Sequence, residues 1–312
     1  MIGYRYSDKH TAIHRLNPWC KLAWITSVFI LALLFNNPLY LLLLFLSTLP
    51  LVLAARVWKE WVSFMKFFLV LCLLIIVMNA LASNQGSHVL YQIPFEIPLI
   101  GAPRITSEAM ICGAGNSLRL LAIISAFTML TFTIHPDDLM LMLMKAKLPY
   151  KSVMVTSLST KFVPALINDA QCIADVQKSR GLEFEKGGRV QKAKNYIMSI
   201  AIPLLSNSLD RATQAAEAME SRAFGSGKNR TFYKELTMTR LDVVALAFAL
   251  APAVLGISMR CSGQGGYEYY PVLQEISFTE LEAIMLISLL LLLNMVFILA
   301  HLKRRFDLDQ DR

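Results

Sequence analysis

Long uncharged stretches alternate with short charged segments along the chain. The 34 positions between Lys21 and Arg56 and the 29 positions between Lys66 and Glu96 contain no Asp, Glu, Lys or Arg. Three further uncharged stretches, of 17, 17 and 20 residues, occupy positions 120–136, 243–259 and 283–302. A helix crosses a bilayer with roughly 17–25 mostly apolar residues. Each stretch therefore predicts at least one transmembrane helix.

The first stretch is too long for a single helix. Asn36, Asn37 and Pro38 lie in its middle and form a turn signal. We therefore predict six transmembrane helices, near residues 19–35, 39–56, 62–82, 108–134, 241–259 and 281–301. The expected fold class is an all-α integral membrane protein with long cytoplasmic helices added to these six.

The composition agrees with this pattern. Of the 312 residues, 55% are hydrophobic and 17% are charged, and the mean hydropathy is +0.51. Soluble domains carry about 25% charged residues, so an ordinary soluble enzyme is excluded, and so is a disordered chain. The five cysteines have no metal-ligand spacing. A disulfide between Cys112 and Cys261 is the one pairing left open.

Lysine and arginine concentrate at one side of the predicted membrane topology. They are frequent in residues 1–21, 56–59 and 303–305, whereas the loops 83–107 and 260–280 have no such excess. Basic residues in short loops stay on the cytoplasmic side. Both termini are therefore expected in the cytoplasm, and the lipid bilayer is expected to surround the spans.

A long insert separates the fourth and fifth spans. Residues 135–240 contain 16 Lys and Arg against 10 Asp and Glu. The simplest reading is a solvated loop, but its pattern predicts ordered helices, beginning with a short one from Pro136 to about Lys147. We divide the chain into an N-terminal transmembrane region (1–134), this cytoplasmic region (135–240) and a C-terminal transmembrane region (241–312).

Two long helices are predicted inside the insert. The first ends at Gly181, and the second runs from about Val190 to Phe224. Each contains a proline in an apolar stretch, Pro164 in the first and Pro203 in the second. The two helices therefore resemble each other in layout.

Each long helix ends in a Ser-Arg-small triplet, Ser179-Arg180-Gly181 and Ser221-Arg222-Ala223. The arginines follow the prolines by 16 and 19 residues, roughly 24–28 Å along a helix. One arginine in a last turn would be explained by the helix dipole, worth about 0.3–1 kcal/mol. Two copies in the same context favour a partner with two equivalent binding sites.

Further motifs occur in a recognisable order. They are His14-Arg15-Leu16-Asn17-Pro18 followed by Lys21, then Arg119, Asp137-Asp138-Leu139, Lys161-Phe162-Val163-Pro164 and the two arginine triplets. In these residues the chain resembles the transmembrane T component of energy-coupling factor (ECF) transporters, a family that includes cobalt-uptake permeases. It departs from the family pattern at four positions. Ala223 stands where a glycine is common, Lys161 stands where an arginine is common, and Ser179 and Ser221 stand where alanine is usual.

The resemblance implies a non-catalytic coupling subunit. Two cytosolic ABC-type ATPases would bind the two triplets, with Arg180 and Arg222 as anchors, and would move the long helices as levers. A separate membrane-embedded S component would bind and release a vitamin or a transition-metal ion. Arg119, Lys161, Pro164 and Pro203 would have structural or coupling roles. The chain would lie in a prokaryotic plasma membrane and would bind no cofactor, metal or nucleic acid itself.

Other functions have less support. A self-contained secondary transporter would need acidic residues deep in its spans, and the uncharged stretches offer none; a permease of another ABC class stays open. An intramembrane enzyme would need a nucleophile or metal motif, but neither GxSxG nor HExxH is present. Gly225-Ser226-Gly227-Lys228 lacks the earlier glycine and the following Ser or Thr of a phosphate-binding loop.

Overall fold

The computed structural model describes residues 9, 11–83, 86–92, 104–146, 149–181, 188, 196–226, 238–271, 273–274 and 280–310. Helices dominate these residues, and the all-α prediction is confirmed. The helices are α1 (Ala12–Arg15), α2 (Pro18–Leu34), α3 (Pro38–Ala54), α4 (Trp58–Ala82), α5 (Ser107–Thr133), α6 (Pro136–Lys145), α7 (Tyr150–Ser179), α8 (Ile202–Ser221), α9 (Arg240–Cys261) and α10 (Glu280–Gln310).

Six apolar helices lie where the uncharged stretches predict them. Among the described residues, four are long and apolar enough to cross a membrane, within α4, α5, α9 and α10. The other two, α2 and α3, have 17 residues each. At 1.5 Å per residue they are about 26 Å long, the lower limit for a span.

An Asn-Pro pair begins both α2 and α3. The Asn17 side chain accepts a hydrogen bond from the Trp19 N–H at 3.1 Å, and Asn37 accepts one from the Leu39 N–H at 3.0 Å. The proline that follows each asparagine occupies the first helical position, where its missing N–H costs nothing. The second of these caps, Asn37-Pro38, lies inside the 34-residue uncharged stretch and explains why that stretch forms two helices.

Residues 1–139 and 236–312 form one compact unit. Its core contains the buried side chains of Trp24, Val28 and Leu31 on α2. Small residues allow the helices to approach closely: a Cβ placed on Gly113 of α5 would lie 2.9 Å from the Ile76 Cα of α4. Tight packing of this kind stabilises helix pairs in lipid, where the hydrophobic effect between helices is absent.

A short hairpin lies at the end of the bundle where α5 begins. Its strands, β1 (Val89–Gln92) and β2 (Arg104–Thr106), pair antiparallel. The fully buried Glu108 side chain accepts hydrogen bonds from the His88 N–H at 3.1 Å and the Ser87 hydroxyl at 3.2 Å. All five cysteines are free, so the pairing of Cys112 with Cys261 is not formed.

Residues 140–235 form a second compact unit, which contains α7 and α8. The first of these, α7, ends as predicted directly before Gly181, with Arg180 as its C-cap residue. The predicted start of the second long helix, near Val190, lies outside the described residues. In the described part, a π-helical turn at Ile197–Ala201 precedes α8, which the sequence did not predict. Pro203 has no N–H, and its ring would clash with the carbonyl of Ser199 in a regular helix. A widened turn removes this conflict.

Candidate functional site

Arg180 and Arg222 occupy the same position at the ends of their helices. Each is the C-cap residue, with φ −79° and ψ 3° at Arg180 and φ −88° and ψ 14° at Arg222. The residue that follows each arginine is left-handed, with φ +85° at Gly181 and +55° at Ala223. The two ends therefore have similar backbone conformations, each with a near-helical cap followed by a left-handed residue.

Hydrogen bonds hold both ends in this conformation. The Gly181 N–H donates to the Lys178 carbonyl at 2.9 Å, and the Ala223 N–H donates to the Glu220 carbonyl at 2.8 Å. The Phe224 N–H adds a 3.0 Å bond to the carbonyl five residues earlier, which completes a Schellman motif on α8. These bonds satisfy carbonyls that a helix end otherwise leaves open, and they fix the backbone from which each arginine extends.

The serine of each triplet bonds to its own helix. The Ser179 hydroxyl donates to the Asp175 carbonyl at 2.9 Å, and the Ser221 hydroxyl donates to the Ala218 carbonyl at 3.1 Å. The hydroxyls are therefore occupied by the backbone. This explains how serine can stand where the resembling family has alanine.

All six triplet residues are exposed. Within the described part of the chain, neither the Arg180 nor the Arg222 guanidinium forms a hydrogen bond or an ion pair. A guanidinium presents five N–H donors in a planar fork, which suits carboxylate oxygens. The two ends can therefore each offer one such fork to a partner.

The remaining candidates of residues 135–240 lie along the helix bodies. Lys161 and Pro164 are exposed on α7, and Pro203 is half-buried just after the π-helical turn. Pro164 lies inside α7, which continues on both sides of it. The structure thus places these residues away from the ends, in the stretches that lead to them.

An ion pair joins the two long helices, and no sequence pattern indicated it. The Arg211 guanidinium of α8 lies 2.7 Å from the Asp169 carboxylate of α7. Both side chains are partly exposed, so the pair contributes little free energy by itself. It does specify which faces of α7 and α8 meet. The 42 residues between the partners explain why periodicity within one helix gave no signal.

Arg119 belongs to the other unit, in the middle of α5. Its guanidinium donates to the Asn36 side-chain oxygen at 2.8 Å and to the Phe35 carbonyl at 3.1 Å. The Tyr269 hydroxyl donates to the Asn36 carbonyl at 2.6 Å, and burial raises the pKa of Tyr269 to about 12. This tyrosine therefore stays a neutral donor. Together these groups hold the turn between α2 and α3 against α5.

The sequence model of a known family matches most of the chain. It covers residues 9–233, and its description is "cobalt transport protein" (CbiQ). The chain belongs to this family. Its relatives include proteins named energy-coupling factor transporter transmembrane protein EcfT. The relative from Streptococcus equi subsp. equi (strain 4047) is 32% identical over 270 residues, which is 84% of this chain and 96% of the relative.

Two further EcfT relatives agree. The protein from Lactococcus lactis subsp. cremoris (strain MG1363) is 30% identical over 264 residues, covering 82% of this chain and 96% of its own length. The protein from Bacillus subtilis (strain 168) is 28% identical over 269 residues, which is 83% of this chain and 98% of that protein. The resemblance predicted from the motifs is confirmed. The chain is a membrane protein and a transmembrane component of an ECF transporter.

Proposed function

We propose that this EcfT-family chain is the non-catalytic coupling subunit of an ECF importer. Two ABC-type ATPases bind it, one at the Arg180 end and one at the Arg222 end. ATP binding and hydrolysis in those ATPases move α7 and α8, and the motion reaches a separate substrate-binding S component. The single observation that carries this proposal is the pair of equivalent, exposed arginine caps.

Equivalence of the two ends supports a dimeric partner. A dimer of ATPases presents the same groove twice, and two helix ends with matching backbone conformation can each enter one groove. A cap held by backbone hydrogen bonds loses little further freedom on binding, so more of the contact energy appears as affinity. Acidic groups in the grooves would pair with the guanidinium forks.

Exposed apolar residues on the same unit support a second, apolar partner. Val163 and Ile167 on α7 and Ile202, Leu205 and Leu209 on α8 are each at least half exposed. Their spacing of three or four residues puts them on continuous helix faces. We assign these faces to the S component, which selects the substrate, either a vitamin or a transition-metal ion; the family description names cobalt transport.

We also propose where the chain and its partners lie in the cell. The chain lies in the prokaryotic plasma membrane, with both termini and residues 135–240 in the cytoplasm, where the ATPases are. ATP is bound by those partners, and this chain holds no cofactor.

Charge reversal at both caps tests the docking sites. Arg180→Glu combined with Arg222→Glu turns two attractive contacts into repulsive ones, and each charged hydrogen bond is worth about 1.5–3 kcal/mol. We expect the ATPases that co-purify with the full chain in mild detergent to fall below about one-tenth of the wild-type amount. Each single variant should retain an intermediate amount.

The control is Lys145→Glu on α6, a residue in the same unit that is exposed and carries the same charge. It should leave ATPase co-purification unchanged, and all variants should reach the membrane in equal amounts. Unchanged co-purification with the double variant would refute the assignment of the two caps.

A further inference from the structure

The chain passes between its two units at residues 139–140 and 235–236. The first turn of α2 contacts the apolar helix that lies nearest in sequence to each passage, at the end of α5 and at the start of α9. The outgoing connection follows Thr133, the last residue of α5. The returning connection leads to Thr239 and Asp242, which begin α9. Cys20 and Lys21, neighbours on α2, bond to Asp242 and Thr133 respectively. All of these residues belong to the unit formed by 1–139 and 236–312.

Lys21 bonds to the outgoing side. Its side chain is 5% exposed, and its ammonium group donates to the Thr133 carbonyl at 2.8 Å and to the His14 carbonyl at 3.1 Å. Thr133 and Ile134 are buried as well, so water cannot easily replace this donor. The last carbonyls of a helix lack partners within the helix and carry the negative end of its dipole, which favours a lysine there.

Cys20 bonds to the returning side. Its buried thiol donates to the Asp242 carbonyl at 3.2 Å. Asp242 is buried and caps α9 with Thr239: its carboxylate accepts from the Thr239 N–H at 3.1 Å and from the Thr239 hydroxyl at 2.8 Å. The start of α9 is therefore internally fixed, and Cys20 joins it to α2.

We propose that Lys21 is a positioning residue for energy coupling, which binds the end of α5 to the start of α2 so that the two move together. A buried ammonium group that leaves its carbonyl acceptors loses its hydrogen bonds and gains none from water, which is unfavourable. A displacement of the chain that follows Thr133 is therefore passed to α2 through Lys21, with Cys20 making the weaker link to α9. This inference rests on the proposed coupling function.

Hydrogen exchange of the full chain, purified together with its ATPases, tests the link. Lys21→Met keeps the length of the side chain but removes its donors. We expect amides of residues 131–134 to exchange at least tenfold faster in this variant. Lys66→Met, which alters an exposed lysine on α4, should leave the same amides unchanged.

The second measurement is the change in exchange on adding ATP and vanadate. In the wild-type complex we expect changes in α7, in α8 and in the first turn of α2. Lys21→Met should keep the changes in α7 and α8 but reduce the change in α2 at least fivefold, whereas Lys21→Arg, which keeps the donors, should retain most of it. A residue that only fills space would be replaced by methionine without this loss.

The outcomes separate the two hypotheses. A wild-type change in α7 and α8 with none in α2 would overturn the role of Lys21 alone, as would a Lys21→Met complex that responds like the wild type. Lys21→Arg losing the response as completely as Lys21→Met would also overturn it. No wild-type change in α7 and α8 would overturn the coupling function, and the role of Lys21 with it.

Discussion

Two pairs of cationic side chains in this molecule have opposite surroundings. Lys21 and Arg119 lie among the membrane helices, and each donates to backbone carbonyls of other segments. Arg180 and Arg222 lie at exposed helix ends. The comparison shows that a cation with internal acceptors joins helices of one chain, whereas a cation on a rigid, exposed cap is available to another molecule.

Replacing a cation that has internal acceptors, such as Arg119, should have the largest effect on the stability of the chain. Arg119→Met takes two charge-assisted donors from the turn between α2 and α3, which costs about 2–4 kcal/mol when the acceptors stay partly buried. We expect thermal unfolding of the detergent-solubilised chain to shift down by about 5–10 °C.

The same substitution at the exposed caps sharpens the comparison. Arg180→Met and Arg222→Met should each shift the unfolding temperature by less than about 1 °C, since surface substitutions typically change stability by under about 0.5 kcal/mol. Equal shifts at position 119 and at the caps would contradict the distinction between the two pairs.

A smaller effect should separate the two caps from each other. Ala223 has φ +55°, a conformation that costs about 1 kcal/mol or more for a residue with a Cβ. Ala223→Gly should therefore stabilise the last turn of α8 by about 0.5 kcal/mol, part of the gain being offset by the freedom of glycine in the unfolded chain. The measurement is amide exchange, which should be slower in residues 219–224 of the Ala223→Gly variant than in the wild type.

The reverse substitution is the matched control. Gly181→Ala puts a Cβ on a residue with φ +85°, so the last turn of α7 should exchange faster by a few-fold. If Gly181→Ala left amide exchange in the last turn of α7 unchanged, the left-handed residue would not be a source of strain at either cap.

The helices were accessible to sequence reasoning because their signals are local. Uncharged length marks the spans, and Asn37-Pro38 marks the division of the first stretch because asparagine caps and proline begins a helix. Gly181 marks the end of α7 because a left-handed residue follows the cap. The arginine triplets were visible for the same reason, since each lies within one helical turn.

Contacts between distant segments were not accessible. Lys21 and Arg119 bond to carbonyl oxygens, which every residue has, so the acceptor leaves no trace in the sequence. The Asp169–Arg211 ion pair depends on how α7 and α8 cross. The π-helical turn before Pro203 is one of several ways in which a helix can accommodate a proline, and packing selects among them.

Crosslinking from the two caps tests the central claim most directly. A photoreactive amino acid is placed at position 180 or at position 222 of the full chain in membranes that contain the ATPases, with position 145 as the control. We predict that both caps form adducts with an ATPase subunit and that position 145 does not. Adducts confined to this chain itself, or an ATPase adduct from only one cap, would contradict the account of two equivalent docking sites.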